Sequence, residues 1–179
     1  MAALGQGKET LRPVVMLAGA QSQKHTGPSL LTATTNHQIA FARLSEIDPD
    51  DILAHMSDPR VAEHLPLLKF AWDKEAVAKF LATKKECWKR DGLGHWAILF
   101  DGVYVGWGGF QKEGEEWDFG LVLKPASFGL GLRIAKKAID FAIADERIPF
   151  VTFLVPPSRT KLRALERFGA KHNCSYELR

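Results

Sequence analysis

Two residue types that often carry chemistry or staple small folds are scarce here: among 179 residues there are only two cysteines and two tyrosines. Cys87 and Cys174 are too few to frame a disulfide-stapled fold, which excludes small secreted scaffolds and suits a reducing cytoplasm. Neither has an evident activating partner for thiol catalysis, and Cys87 falls in a helical pattern that places it in a core. No apolar run approaches the ~18 residues that a membrane span requires. The six histidines lack metal-ligand spacing. His55 and His64 are not an i, i+4 pair and no cysteine pair accompanies them, so no metal site is expected. Residues 14–20, after Lys8 and Arg12, have the faint outline of a secretory leader. Their apolar part sits at the lower limit of the ~7–15 residues of such a segment, and the domain behind it reads as intracellular. Repeats and low-complexity tracts are absent, so one α/β domain with a sizeable core is the default for this length.

The richest stretch is residues 117–144. Trp117, Phe119, Leu121 and Leu123 alternate with Asp118, Gly120 and Val122, as in a strand with two distinct faces. Lys124-Pro125 ends it, because proline offers no amide hydrogen to a ladder and biases the preceding residue away from helix. Phe128-Gly129-Leu130-Gly131 follows. Next comes a helix with Ile134, Ala135, Ala138, Ile139, Ala142 and Ile143 inward, and Arg133, Lys136, Lys137 and Asp140 outward. A strand feeding a glycine-bearing turn and then a helix N-terminus is an anion site in outline. Bare glycines let backbone amides approach a phosphate, and the helix dipole favours the negative charge.

Spacing sorts the ligands that use this device. A Walker loop needs Gly-Lys-Ser/Thr after four intervening residues, and nothing here fits. A dinucleotide fingerprint needs a third glycine where Ile134 stands, and an acidic ribose ligand about twenty residues on. Residues 150–155 supply none. What remains is similar to the pyrophosphate loop of acyl-CoA N-acyltransferases, Gln/Arg-x-x-Gly-x-Gly/Ala. It reads here Ala126-Ser127-Phe128-Gly129-Leu130-Gly131, with Ala126 in place of Gln/Arg. Downstream, Ala164-Leu165-Glu166-Arg167-Phe168-Gly169-Ala170 resembles that family's second signature. Ser158 stands at its Asn position and Lys161 at its Ser/Ala position. Upstream, "MSDPRVAEHL" and "WDFGLVLKPASFGLG" look like the ribosomal-protein N-terminal acetyltransferase (RimJ/RimL-like) branch of the GNAT superfamily. The resemblance runs in order over roughly residues 36–179.

Local signals organise the rest. Residues 38–44 alternate like a first strand. Asp48-Pro49 and Asp58-Pro59 each pair an N-cap with proline at the first helical position, with Pro66 ending the second short helix. Asp73 caps a longer helix carrying Val77, Phe80, Leu81 and Trp88, which stops before Gly92. Two strands, residues 95–100 and 103–110, meet at Asp101-Gly102, the strongest short hairpin signal. Gly106, Gly108 and Gly109 in the second strand suggest a bulge or a close backbone approach. Gly114 turns into the strand of residues 116–123. Residues 150–155 form an apolar strand ended by Pro156-Pro157, Ser158 caps a last helix, and residues 171–179 supply one final strand. The order β-α-α-β-β-β-α-β-α-β gives an α/β (α+β) fold: a mixed, mostly antiparallel central sheet with helices on both faces. This matches the GNAT acyl-CoA N-acyltransferase fold except at the C-terminus, where the family has two closing strands. Residues 1–35 read as an N-terminal extension or linker before a domain of residues 36–179. The edge left by the short C-terminus needs a cover. Residues 11–17 are expected to supply it, or a second subunit in a homodimer.

The resemblance implies direct transfer of an acetyl group from acetyl-CoA, as co-substrate, to a primary amine on a protein N-terminus or a small molecule. It places the diphosphate at Phe128, Gly129, Leu130, Gly131, Leu132 and Arg133, with Ser158 beside the cofactor. The thioester oxygen falls at a strand amide near Val122 and Leu123. Asp118 matches the acidic position near the amine and is the candidate base, set against a solvated carboxylate, with Glu116 as substitute. The family's tyrosine acid is replaced by Leu165, so water is left to protonate the thiolate. Trp72, Trp88, Trp96, Trp107 and Trp117 either line a cleft or, for most, fill the core. His95 opens a strand and reads as a hydrogen-bonded structural residue rather than a cleft residue. The net charge of +3 hides an asymmetry. Residues 124–179 carry eleven Lys/Arg against five Asp/Glu, while residues 1–123 carry thirteen against sixteen. The basic part holds the cofactor segments and the acidic part favours a cationic amine. Nucleic-acid binding ranks below this, because the basic residues are interspersed with acids and lack a stacking-aromatic stripe. Two rivals stay open: an acetyltransferase for a polyamine or antibiotic, and a non-catalytic acyl-CoA-binding protein.

Overall fold

A computed structural model describes residues 14–15, 37–63, 65 and 71–153. Its strands are β1 (Val14–Val15), β2 (Ile39–Arg43), β3 (His95–Phe100), β4 (Val103–Glu113), β5 (Glu116–Leu123) and β6 (Val151–Thr152). Its α-helices are α1 (Pro49–Met56), α2 (Pro59–Ala62), α3 (Lys74–Asp91) and α4 (Gly131–Ala144), with 3-10 turns at Leu44–Glu46 and Pro125–Leu130. The sheet order is β1-β6-β5-β4-β3-β2. β5 and β6 are parallel and every other neighbouring pair is antiparallel.

The local signals act where their chemistry requires. The carboxylates of Asp48, Asp58 and Asp73 accept hydrogen bonds from the amides of Asp50, Arg60 and Ala76 at 2.9, 2.9 and 2.7 Å. Each satisfies a helical amide that has no partner within its own helix. Gly92 ends α3 in the left-handed conformation, φ 70°, which costs glycine little. The β3–β4 hairpin turns on Asp101 (φ 50°) and Gly102 (φ 81°), the sign pair of a type I′ turn whose twist matches the strands.

β5 divides the core. Trp117 and Phe119 pack with Trp96, Phe110, Ala135, Ala138, Ile139 and Ala142 on the α4 face. Leu123 joins Ile134 on that face. Val122 points the other way, into Ile52, Met56, Val61, Val77, Ala97, Tyr104 and Trp107 beneath α1 to α3. Helices therefore cover both faces, as the element order implies. Ile143, expected inward, is 55% exposed. It lies about 100° round the helix from Ala142, past the edge of the buried stripe that Ala135, Ala138 and Ala142 centre.

The glycines of β4 act by close approach. The β3–β4 register shifts between Ile98 and Leu99, leaving Val105 as the extra residue of a bulge. A Cβ on Gly108 would sit 2.5 Å from the Gly120 carbonyl oxygen and 3.0 Å from the Leu121 Cα. Val14 and Val15 pair with Val151 and Thr152, so this much of residues 11–17 covers the β6 edge. The proposed strand of residues 150–155 is realised at Val151–Thr152, with residues 154–155 outside the described residues. The expected last helix, the final strand of residues 171–179 and Pro66 also lie outside them.

Gly108→Ala places a methyl against strand backbone rather than a yielding side chain. It should destabilise the protein by about 1–3 kcal/mol, read as a lower urea midpoint at unchanged slope. An unchanged midpoint would mean that β4 and β5 are not held this close in solution.

Candidate functional site

The candidate residues lie along β5 and the turn that leaves it. Glu116 and Asp118 occupy the hairpin end, both half-buried. In register, Glu116 faces Glu113, and Asp118 lies between Gln111 on β4 and Thr152 on β6. Asp118 shares a face with Gly120 and Val122, of which Val122 packs beneath α1 to α3. Val122 and Leu123 are buried at the other end of the strand, roughly 17 Å from Asp118 at strand rise. The structure thus brings Val122 and Leu123 together with the glycine turn, and holds the two acids apart from it.

Strand alternation separates Val122 from Leu123. The Lys124 amide donates to the Val105 carbonyl at 2.8 Å, so the amides of Val122 and Gly120 also face β4. Those of Leu121 and Leu123 face the opposite edge, toward β6. There the parallel pairing spans Trp117 and Asp118 against Val151 and Thr152, while β5 runs on to Leu123.

The turn Pro125–Leu130 is 3-10 helical and passes directly into α4. Gly131 has ordinary helical angles, φ −52° and ψ −44°, so the glycines serve by lacking a side chain. A Cβ on Gly129 would meet nothing within 4 Å, and one on Gly131 would meet only Leu123 Cδ1 at 3.8 Å. Phe128 and Leu132 are exposed and Leu130 packs against the Leu123–Ile134 cluster. The first turn of α4 has no capping side chain and no acidic residue. Arg133 is exposed and its guanidinium donates to the His37 carbonyl at 3.1 Å. Ser158 lies outside the described residues.

Sequence reasoning passed over two polar groupings on the α1–α3 face. His55 Nδ1 and the Tyr104 hydroxyl share a 3.0 Å hydrogen bond, and both side chains are buried. Burial lowers His55 to about 4, with the Lys124 charge adding and the Leu123 backbone and Asp58 opposing. Burial, with the Asp51 charge, raises the Tyr104 phenol above its usual range. The second grouping joins His95, Lys84 and Gln111. Lys84 Nζ donates to Gln111 Oε1 at 2.7 Å, and Gln111 Nε2 donates to Glu113 Oε1 at 2.9 Å. His95, expected to be a hydrogen-bonded structural residue, is 7% exposed, and its Nδ1 has no hydrogen-bond partner. Burial, then the Lys84 charge, holds its pKa well below the ordinary histidine value. The glycines of β4 and β5 were the sequence signal for this grouping. Gly109 pairs with both His95 and Gly120, and without intervening side chains the His95 ring reaches Gly120. Trp96, Trp107 and Trp117 are buried core and Trp72 and Trp88 are half-buried. Among the described residues no group of three or more His, Cys, Asp or Glu is placed to hold a metal ion, and no helix is long and apolar enough to cross a membrane.

The structure is a mixed sheet with one parallel pair, with a glycine turn leading from β5 into α4. Residues 38–171 match the family described as "Acetyltransferase (GNAT) domain", and the chain belongs to that family. No curated protein matches it. Among solved structures it is similar to the acetyltransferase from Agrobacterium tumefaciens str. C58, with 19% identity over 83% of this chain and 88% of that one, TM-score 0.60. It is similar too to the GNAT-family acetyltransferase from Bacillus anthracis, with 19% identity over 73% and 78%, TM-score 0.58. The putative GNAT-family acetyltransferase from Bordetella pertussis gives 16% identity over 75% and 85%, TM-score 0.58. At these identities the likeness establishes the fold.

The lowered histidine sets a pH dependence of stability. Between about 4 and 6.5, the folded and ordinary values for His55, the unfolded chain binds more protons than the folded one. Stability is therefore whole above pH 6.5 and lost as pH falls toward 4. Moving from pH 7.5 to pH 5 should cost about 2 kcal/mol through His55 alone, with His95 acting in the same direction. Urea denaturation at the two pH values measures this. His55→Phe should flatten the difference by about that amount; a variant with the wild-type slope would contradict the assignment.

Proposed function

We propose that the protein is an acetyl-CoA-dependent N-acetyltransferase that passes an acetyl group directly to a primary amine. The observation that carries this reading is the start of α4. Its positive dipole end meets a turn with no acidic residue and no capping side chain; the Gly131 amide is given to the Phe128 carbonyl, and Gly129 leaves the approach open. A diphosphate fits such a place. Phe128, Gly129, Leu130, Gly131, Leu132 and Arg133 form this cradle, and the family resemblance assigns Ser158 to cofactor binding as well. The arm from the diphosphate to the thioester follows the β6-facing edge of β5. The amide of Leu123, or of Leu121 one step back, then meets the thioester oxygen as it gains charge. Of Val122 and Leu123, strand alternation favours Leu123 as the donor.

Asp118, three residues and roughly 10 Å at strand rise from Leu121, takes through a chain of water the proton that the ammonium must lose, with Glu116 as substitute. As the amine nitrogen bonds the acetyl carbon, the carbon–sulfur bond breaks and the thiolate takes a proton from water. A peptide N-terminus is the acceptor that the RimJ/RimL-like motifs favour, and a cytoplasmic setting agrees with the two cysteines.

Gly131→Val puts a branched side chain into the cradle where the fold has room for it. The variant should stay folded yet lose acetyl-CoA affinity by calorimetry, and an unchanged affinity would remove the turn from the site. Free-thiol release from acetyl-CoA over peptides, polyamines and aminoglycosides tests transfer itself; binding without thiol release over the whole panel would leave an acyl-CoA-binding protein. With an active acceptor, Asp118→Asn should lower the rate by about 10²–10⁴ at neutral pH, and by less at high pH where the amine is already neutral. A folded Asn variant with near-wild-type turnover would move the assignment to Glu116.

A further inference from the structure

Three features lie together on the α1–α3 face, where the His95 ring faces Gly120 and both it and the Lys84 ammonium lie against Trp107, 5.2 and 5.3 Å from that ring. The first is space cleared by sequence: Gly109 and Gly120 are paired, and a Cβ on Gly120 would have only the His95 ring within 4 Å, Nε2 at 3.3 Å and Cε1 at 3.7 Å. The second is His95 itself, 7% exposed with Nδ1 unsatisfied. A buried ring nitrogen without a partner carries a penalty that function explains more readily than folding does.

The third is Lys84. Its ammonium is half-buried between the rings of Trp107 and Phe80, 5.3 and 5.6 Å from their centroids, and it donates to the Gln111 amide oxygen. Among the described residues no carboxylate lies within ion-pair distance of it. The nearby Glu113 instead accepts from Gln111 Nε2. Burial lowers the pKa of this lysine, with Cys87 and Glu113 opposing. A desolvated cation facing a neutral amide is poorly compensated, and an anionic group from outside would complete it. The diphosphate cradle is not the source of that anion. Gln111 pairs with Asp118, seven residues and roughly 23 Å at strand rise before Pro125.

We propose that Lys84 and a ring N–H of His95 bind an anionic group carried by the acceptor, while the amine of the same molecule extends toward Leu121 and passes its proton to Asp118 through water. The acceptor is then an amine with a nearby carboxylate: a free acidic amino acid, or a peptide whose first residue is acidic. A polyamine or aminoglycoside would set further cations against Lys84. The inference rests on the acetyl-transfer reading for what happens to the amine, and on the grouping of His95, Lys84 and Gln111 alone for what binds there.

Calorimetry on the CoA-loaded protein separates the two. The probes are aspartate, Asp-Ala-Ala amide, Asn-Ala-Ala amide and spermidine. Asp-Ala-Ala amide should bind about tenfold or more tightly than its Asn counterpart, the difference expected for one charge-assisted hydrogen bond. Aspartate against the peptide tells a free amino acid from a chain terminus. Lys84→Met should bring Asp and Asn peptides within about twofold, Lys84→Arg should restore the preference, and acetyl-CoA affinity should not change in either. His95→Gln, less exposed to a charge effect on folding, should weaken the Asp peptide selectively. No binding of either anionic probe, spermidine binding as tightly as the Asp peptide, an undiminished preference in Lys84→Met, or lost acetyl-CoA affinity in that variant would each overturn the inference. Thiol release is scored separately: selective binding without it keeps the subsite and removes the transfer reading.

Discussion

The closeness of β4 and β5 governs the rest of the molecule. Their register runs from Glu113 opposite Glu116 to Gly106 opposite Leu123, and at Gly106 and Gly108 the backbone of β5 occupies the space a side chain would take. This contact fixes the height of β5 in the sheet. Everything assigned to the site hangs on that strand: odd-numbered residues anchor α4, even-numbered ones meet α1 to α3, and its end aims the glycine turn. A slip of one residue would exchange the two faces and send Asp118 into the α4 core.

The α4 face is almost wholly apolar, and tightly packed aromatic and alanine side chains hold the helix that follows the glycine turn. The α1–α3 face is different. It buries His55, His95 and Tyr104 and half-buries Lys84, groups that a purely structural layer would avoid. Apolar packing on one side thus provides a rigid mount, and the buried polar groups lie on the other. The acidic pH sensitivity of the buried histidines follows from that division.

Much of the fold was legible in the residues. Aspartate-proline caps, Asp101-Gly102 and the alternation of residues 117–123 are local signals, with causes within a few residues, and they appear in the structure where the sequence places them. The glycine turn before α4 was legible for the same reason. Ile143 was misplaced because a stripe of isoleucine and alanine blurs the edge of a buried face, and only the packing of α4 on the sheet sets that edge.

By itself the sequence determined the element order and helix boundaries within residues 37–153, the two faces of β5 and the family resemblance, because each is written in short-range spacing and steric preference. The tertiary structure alone decided what lies beside what. It showed that the acids of β5 stand far from the glycine turn, that Leu123 rather than Val122 turns its amide to the open edge, and that His95 reaches Gly120 across Gly109. Lys84 meeting Gln111, and His55 meeting Tyr104, join residues 27 and 49 positions apart. No local pattern encodes such a pair, since it exists only once strand register and helix docking have been fixed together.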